Sequence, residues 1–164
     1  MFRPMRRAAQ ALPANEAEAI LARASCGVLA LSGDDGYPYA LPISYVYADG
    51  TLYFHSAITG HKIDAAARCD RASFCVIDQD IVVPELLTTK YRSVIVFGRI
   101  RVLDDPAEVS AALQLLAAKY APDLPAAQTQ AEIADSMPAV AVLALTVEHL
   151  SGKEGRLLAE ERSK

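Results

Sequence analysis

The sequence of residues 37–62, YPYALPISYVYADGTLYFHSAITGHK, predicts two β-strands, a tight turn and a short polar connection into a helix. In the first strand, apolar and aromatic residues recur at every second position and therefore share one face: Leu41, Ile43, Tyr45 and Tyr47. Asp49-Gly50 predicts the hairpin turn, because glycine tolerates the positive φ that such turns need. The second strand, from Thr51 to His55, leads directly into the polar residues.

A hydroxyl, an imidazole and an ammonium group follow this second strand, at Ser56, His61 and Lys62. A phosphate group is bound well by the free N–H groups at a helix start together with a nearby cation. Thr59 or Gly60 can begin the helix, and Lys62 can supply the charge. An anion site is therefore one interpretation of this cluster, and a plain helix cap with a solvated lysine is the other.

The rest of the chain predicts about six strands and three or four helices. Outside the opening segment the predicted strands are 28–31, 71–77, 91–103 and 139–150, and the predicted helical regions are about 15–24, 60–68 and 106–135. Pro84 is incompatible with a central strand, so 78–88 is predicted as an extended loop or a sheet edge. Strands joined by hairpins with one long excursion favour a mainly β fold: a six-stranded antiparallel barrel with peripheral helices.

Local signals mark the ends of several elements. Asn15 with Glu18 three residues later is typical of a capping box, and Asp105 followed by proline is typical of a helix start. Gly98 inside a long strand predicts a β-bulge or a close backbone approach. The residues from about 155 to 164 are predicted to be a charged tail with a frayed end.

Length and composition favour one domain over residues 1–164. The apolar share of 52% is enough for a full core, yet no run approaches the roughly 20 apolar residues that span a bilayer. Arg and Lys are dispersed in a chain of net charge -4, which does not favour nucleic acid as a partner. The N-terminus lacks the apolar region of a signal peptide, so we expect a cytoplasmic protein with no membrane partner.

Catalytic and metal motifs are scarce in the sequence. The three cysteines have no CxxC spacing, so neither a disulfide framework nor a metal site is expected, although a reactive Cys69 thiol remains open. No Ser–His–Asp or Cys–His grouping is evident. His55 suits either a buried imidazole or a ligand contact, and Arg92 suits either a surface cation or an anion contact. If the chain is an enzyme, a cofactor is expected to supply the reactive chemistry.

Several motifs together resemble the FMN-binding split-barrel proteins. They are Gly36-Tyr37-Pro38-Tyr39, Pro42-Ile43-Ser44-Tyr45, Asp49 to Ala57, Gly60-His61-Lys62-Ile63-Asp64, Tyr91 to Gly98 and Ser151-Gly152-Lys153-Glu154. The chain is most similar to the Nim-type (5-nitroimidazole resistance) branch of the pyridoxamine-5'-phosphate-oxidase-like flavoproteins. The resemblance extends from about Met5 to Glu154.

This resemblance implies a single FMN-binding split-barrel domain that forms a homodimer with FMN at the subunit interface. It implies that one subunit contacts the flavin through Pro42, Ile43, Ser44, Tyr45, His55, Ser56, Ala57, Gly60, His61 and Lys62. The partner subunit would contribute Arg92, Ser93 and Val94 to the same flavin. Lys62 would hold the phosphate, and His55 would lie beside the reactive face of the flavin.

The expected activity is an FMN-dependent reduction of a small electron-poor substrate, such as a nitroaromatic, with NAD(P)H as the donor. The alternatives are a flavin-binding module without turnover and a haem-binding relative, for which His55 and His149 are the strand histidines available as ligands. Pyridoxamine-phosphate oxidases proper carry a C-terminal Trp and Arg motif. This chain has no Trp, which argues against that activity.

Overall fold

Seven antiparallel strands form one sheet in the computed structural model, which describes residues 1–163. The strands are β1 (Cys26–Ser32), β2 (Pro38–Ser44), β3 (Val46–Ala48), β4 (Thr51–Ala57), β5 (Arg71–Val83), β6 (Thr88–Val102) and β7 (Val140–Glu154). They lie in the order β2-β1-β5-β6-β7-β4-β3. The mainly β fold with peripheral helices is confirmed, with one strand more than the six predicted.

The additional strand arises because the first strand of the opening segment is divided at Tyr45. β2 ends at Ser44 and pairs with β1 at one edge of the sheet, whereas β3 begins at Val46 and pairs with β4 at the opposite edge. The chain itself therefore joins the two edges at Tyr45, without a hydrogen-bonded ladder between β2 and β3. The predicted Asp49-Gly50 turn is confirmed, with φ of 47° and 75° at its two residues.

Residues 78–88 form a hairpin arm in which β5 and β6 pair only with each other, so the predicted loop is wrong and the predicted sheet edge is confirmed. β5 continues through a bulge between Ile77 and Gln79, and its last residue, Val83, pairs with Thr88 of β6. Pro84 lies beyond this last pair, in a short 3-10 turn, so its missing N–H interrupts no ladder hydrogen bond.

Five α-helices surround the sheet in residues 1–163: α1 (Ala14–Arg23), α2 (His61–Arg68), α3 (Pro106–Tyr120), α4 (Ala126–Ser136) and α5 (Arg156–Arg162). The Asp105 cap of α3 is confirmed, since its carboxylate accepts the Ala107 N–H at 2.9 Å. The Asn15 cap is wrong: α1 already begins at Ala14, with Pro13 at the N-cap position and no side-chain cap. The predicted charged tail contains α5, whose Leu158 and Ala159 are buried.

Two apolar clusters pack on the two faces of β7. Leu143 and Leu145 belong to the larger cluster with α1, whereas Val142 and Ala144 pack against α3. The predicted irregularity at Gly98 is confirmed by a register shift against β7, where a Cβ atom would collide with the Thr146 carbonyl oxygen. Within residues 1–163, no helix combines the length and apolar character needed to cross a bilayer.

Candidate functional site

The start of α2 brings a cation and a hydroxyl together at the end of β4. The Lys62 ammonium donates to the Oγ atom of the buried Ser56 side chain at 2.9 Å. Gly60 precedes the helix with φ of 125°, a conformation that L residues rarely adopt, and a Cβ atom there would meet nothing within 4 Å. The Gly60 carbonyl accepts the Ile63 and Asp64 N–H groups at 2.9 and 3.1 Å. The preceding N–H groups, of His61 and Lys62, are those that a helix start leaves without an intrahelical partner.

A side-chain cluster holds this helix start against β2. The His61 imidazole stacks on the Tyr39 ring, with centroids 3.9 Å apart and the planes inclined by 14°. Asp34, in the turn between β1 and β2, lies 2.7 Å from the Arg68 guanidinium and 3.5 Å from His61 Nε2. Local sequence gives no sign that Asp34 contacts a helix that begins 27 residues later.

His55 is exposed to solvent. Along β4, Phe54 and Ser56 are buried, whereas His55 and Ala57 are exposed, so His55 points to the opposite face. The interpretation of His55 as a buried imidazole is therefore wrong, and the exposed residue lies near the end of the strand that leads to Lys62.

The β2 segment of the site ends at a strongly fixed residue. Pro42 and Ser44 are exposed, while Tyr45 is fully buried and its hydroxyl donates to the Leu21 carbonyl at 2.7 Å. The Tyr120 hydroxyl lies 2.9 Å from the Tyr45 amide nitrogen and 2.7 Å from the Tyr45 carbonyl oxygen. Burial raises the pKa of the Tyr45 phenol. Tyr45 therefore exposes no surface of its own to a ligand in one protomer, although it was predicted as a flavin contact.

Lys119 of α3 also contacts Tyr45, the residue that joins β2 to β3. Its ammonium donates to the Ala24 carbonyl at 2.6 Å and lies 4.3 Å from the centroid of the Tyr45 ring. Burial lowers the pKa of Lys119. The sequence predicted α3 as a peripheral helix, and nothing in the local pattern signalled that its last turn holds the residue between β2 and β3.

The remaining predicted site residues, Arg92, Ser93 and Val94, lie far along the sheet. Val94 pairs with Gly152, whereas Val102 pairs with Leu143, which in turn pairs with Phe54. The eight residues from Val94 to Val102 correspond to about 26 Å of strand. Val94 therefore lies well along β6 from the position that is level with Phe54, near the end of the strand that leads to α2.

The Arg92 side chain is also engaged with carboxylates. Its guanidinium lies 3.2 Å from Glu154, which is fully buried, and 3.9 Å from Asp78. Arg162 approaches the other Glu154 oxygen at 2.6 Å. The Val94 side chain is buried in the larger core cluster. Ser93 lies between Arg92 and Val94 and is half-buried.

Cys69 lies directly after the last turn of α2. Two hydrogen bonds lower the pKa of its thiol. The larger effect comes from the Arg71 backbone and the smaller one from the Ser32 side chain. Burial instead raises the pKa of Cys75 on β5. Residues 1–163 contain no group of three or more His, Cys, Asp or Glu side chains arranged to hold a metal ion.

The sequence profile of the family described as pyridoxamine 5'-phosphate oxidase matches residues 13–154. The chain therefore belongs to this family, and the family resemblance predicted from its motifs is confirmed. None of the curated protein sequences matches the chain.

Solved structures share the fold at low sequence identity. A candidate 5-nitroimidazole antibiotic resistance protein from Bacteroides thetaiotaomicron is 22% identical, with a TM-score of 0.74 over 88% of this chain and 86% of that chain. A conserved hypothetical protein from Mycobacterium tuberculosis is 18% identical, with a TM-score of 0.81 over 94% and 92%. An FAD and haem binding protein from Mycobacterium smegmatis is 22% identical, with a TM-score of 0.72 over 90% and 73%.

Proposed function

We propose that this chain is an FMN-dependent oxidoreductase that reduces a small electron-poor substrate, such as a nitroaromatic, with NAD(P)H as the donor. The observation that carries the proposal is the Lys62–Ser56 pair at the start of α2, in a chain of the pyridoxamine 5'-phosphate oxidase family. A cation, a hydroxyl and free helix N–H groups are the set that a mononucleotide phosphate requires.

The residues around α2 fit FMN. Lys62, Ser56, Gly60 and His61 would hold the phosphate, and the open space above Gly60 leaves room for its oxygens. The isoalloxazine ring would lie near the segment from Pro42 to Tyr45, in which Pro42 and Ser44 are exposed, and near the exposed His55 and Ala57 of β4. When bound, FMN supplies two-electron redox chemistry. The protein contributes orientation, hydrogen bonds and exclusion of water.

His55 is the proposed residue beside the substrate. Its imidazole is exposed at the end of β4 and can hold or donate a proton near the ring. This accessible position suits contact with a substrate better than a structural role in the core.

We also propose that the functional unit is a homodimer with FMN at the subunit interface. Arg92, Ser93 and Val94 lie along β6 from the position that is level with Phe54, and by the family resemblance they would contribute to the partner's site. An apolar surface supports such an association: Val28, Ile77 and Ile95 are 39%, 67% and 41% exposed on one face of β1, β5 and β6. The pairs Val28–Cys75 and Cys75–Ile95 make this surface continuous.

Anaerobic mixing of FMN-loaded protein with NADH or NADPH tests the enzymatic proposal. Bleaching of the oxidised flavin band, followed by its return when a nitroaromatic is added, is expected. A flavin that stays oxidised with both donors would favour the alternative of a flavin-binding module without turnover.

A haem-binding function is the other alternative, since one structural neighbour is described as binding both FAD and haem. The exposed His55 imidazole could provide a ligand to the haem iron. His149 is less available, because the Phe2 ring stacks on it at a centroid distance of 4.7 Å. Addition of haem to the purified protein distinguishes this function, since a shifted Soret band that His55→Ala abolishes would support it.

A further inference from the structure

A row of five alternating charges joins separate elements of the fold, with Arg92 at its centre. In order, its members are Arg23, Asp78, Arg92, Glu154 and Arg162. They come from α1, the bulge of β5, β6, the end of β7 and α5. Arg23 lies 2.6 Å from Asp78. Arg162 likewise lies 2.6 Å from Glu154. The central Arg92 lies farther from the two carboxylates, at 3.9 and 3.2 Å.

The row contains one positive charge more than negative charges, and the distances show where the excess lies. One Glu154 oxygen accepts from Arg162, and the other accepts from Arg92. One Asp78 oxygen accepts from Arg23, whereas the other faces Arg92. Because each carboxylate has a closer arginine at the outer end of the row, the two short pairs account for both negative charges. The carboxylates therefore hold the Arg92 guanidinium while its charge stays uncompensated.

Another arginine of β6 shows the contrasting arrangement. Arg99 also lies between two carboxylates, 2.7 Å from Asp70 and 3.0 Å from Glu148. Within residues 1–163, neither of these carboxylates forms an ion pair with a second cation. Two negative charges therefore face one arginine, and this cluster has a net negative charge. The two outer arginines are what distinguishes the row around Arg92.

The row around Arg92 is also better protected from water. Glu154 is fully buried, and the Arg92 side chain is 26% exposed, compared with 46% for Arg99. The Arg92 Nε atom is buried and has no hydrogen-bond partner among residues 1–163. Because partly buried charges are screened less than exposed ones, the charge of Arg92 acts more strongly on its surroundings than that of Arg99. The exposed quarter of the side chain leaves the guanidinium accessible to an anion.

We propose that Arg23 and Arg162 are positioning residues of the flavin site. They neutralise Asp78 and Glu154, and so they leave the charge of Arg92 available to the flavin that the partner subunit binds. The inference rests on the proposed function, in which Arg92 contributes to the partner's site. It deepens that function, because it assigns a role to residues of α1 and α5 that act only through Arg92.

The FMN affinity of paired charge variants tests the proposal. In Arg162→Met the Glu154 charge has only Arg92 as its counter-charge, so the affinity should fall about two- to fivefold. Arg92→Met should cause a similar loss. Adding Glu154→Gln to Arg162→Met removes the carboxylate that lost its partner, so the double variant should recover the wild-type affinity. Fluorescence titrations at low ionic strength give these affinities, because salt screens such charges.

The midpoint potential of the bound flavin gives a second readout, which a merely structural role would not change in this pattern. A cation near the ring favours the electron-rich reduced flavin, so the potential should be lower in Arg162→Met and should return in the double variant. The other end of the row provides an independent pair. Arg23→Met should show the same loss of affinity, and Asp78→Asn added to it should restore binding.

Arg99→Met is the matched control, since it removes an arginine from the other cluster of β6, and it should bind FMN as the wild type does. Equal affinities of the wild type and Arg162→Met would overturn the proposal while the proposed function stands. A loss that neither Glu154→Gln nor Asp78→Asn restores would also overturn it, because the outer arginines would then act through stability alone. A wild type that binds no FMN would instead contradict the proposed function, and this inference with it.

Discussion

The Tyr120 hydroxyl completes the backbone hydrogen bonding of Tyr45, the residue at which the chain passes from one edge of the sheet to the other. It accepts the Tyr45 N–H at 2.9 Å and can donate to the carbonyl oxygen of Tyr45 or of Ser25. Because Tyr45 belongs to neither β2 nor β3, no neighbouring strand meets these two groups. One phenol at the end of α3 therefore replaces a strand partner at the junction that borders the proposed flavin site.

Tyr120→Phe should destabilise the protein by about 1–3 kcal/mol, because it leaves the Tyr45 N–H without its partner. The free energy of unfolding from urea titration measures the effect. Tyr37→Phe is the matched control, since Tyr37 is 76% exposed, and this change should have almost no effect. Equal stability of the two variants would mean that the Tyr120 hydroxyl is not needed at the junction.

Glu154→Ala should be among the most destabilising single changes, at about 3–5 kcal/mol, because it leaves the Arg92 and Arg162 guanidinium groups without their buried counter-charge. Glu108→Ala removes the partner of Arg101 at the surface and should cost at most about 1 kcal/mol. Thermal unfolding of both variants gives the comparison. A small effect at Glu154 would contradict the burial and pairing described for it.

His55→Ala should change turnover far more than stability. An exposed side chain without a structural partner contributes within about 0.5 kcal/mol to unfolding, whereas loss of a proton donor at a reacting centre lowers rates about 10²-fold or more. Steady-state reduction of a nitroaromatic, measured beside thermal unfolding, tests both expectations. Unchanged kcat and KM would remove His55 from the proposed active site.

Cys69 should react with iodoacetamide faster than Cys75 near neutral pH. The thiolate is the reactive form; the lowered pKa of Cys69 increases its fraction at a given pH, and the raised pKa of Cys75 decreases it. The labelling of Cys75 should therefore rise only at higher pH. Peptide mass spectrometry after timed alkylation measures both rates. Ser32→Ala removes one hydrogen bond to Cys69 and should slow its labelling, and an unchanged rate would count against this cause.

Local sequence patterns were sufficient for much of the fold. The alternation from Leu41 to Tyr47, the Asp49-Gly50 turn and the Asp105 cap all depend on neighbours within a few residues. The same alternation continues through Tyr45, so it could not reveal that the residues on either side pair with strands at opposite edges of the sheet. Pro84 suggested a loop or a sheet edge over 78–88. The sequence could not decide between them, because the position of Pro84 beyond the last ladder pair depends on where β6 begins.

The candidate site was predictable where its residues are close in sequence. Ser56 and Lys62 are six residues apart, and their contact follows from a strand that leads into a helix. The contacts of Asp34 with Arg68 and of Tyr120 with Tyr45 join residues 34 and 75 positions apart, and no periodicity encodes them. The exposure of His55 could not be decided either, because both faces of β4 carry aromatic residues.

Titration of the purified protein with FMN, followed by flavin fluorescence, tests the central claim most directly. The wild type should bind one FMN per chain, and Lys62→Met should lower the affinity about tenfold or more through the lost phosphate contact. Lys90→Met, which removes a surface lysine paired with Glu161, should bind as the wild type does. Failure of the wild type to bind FMN, or equal affinities of the wild type and Lys62→Met, would contradict the assignment of the flavin phosphate to the start of α2.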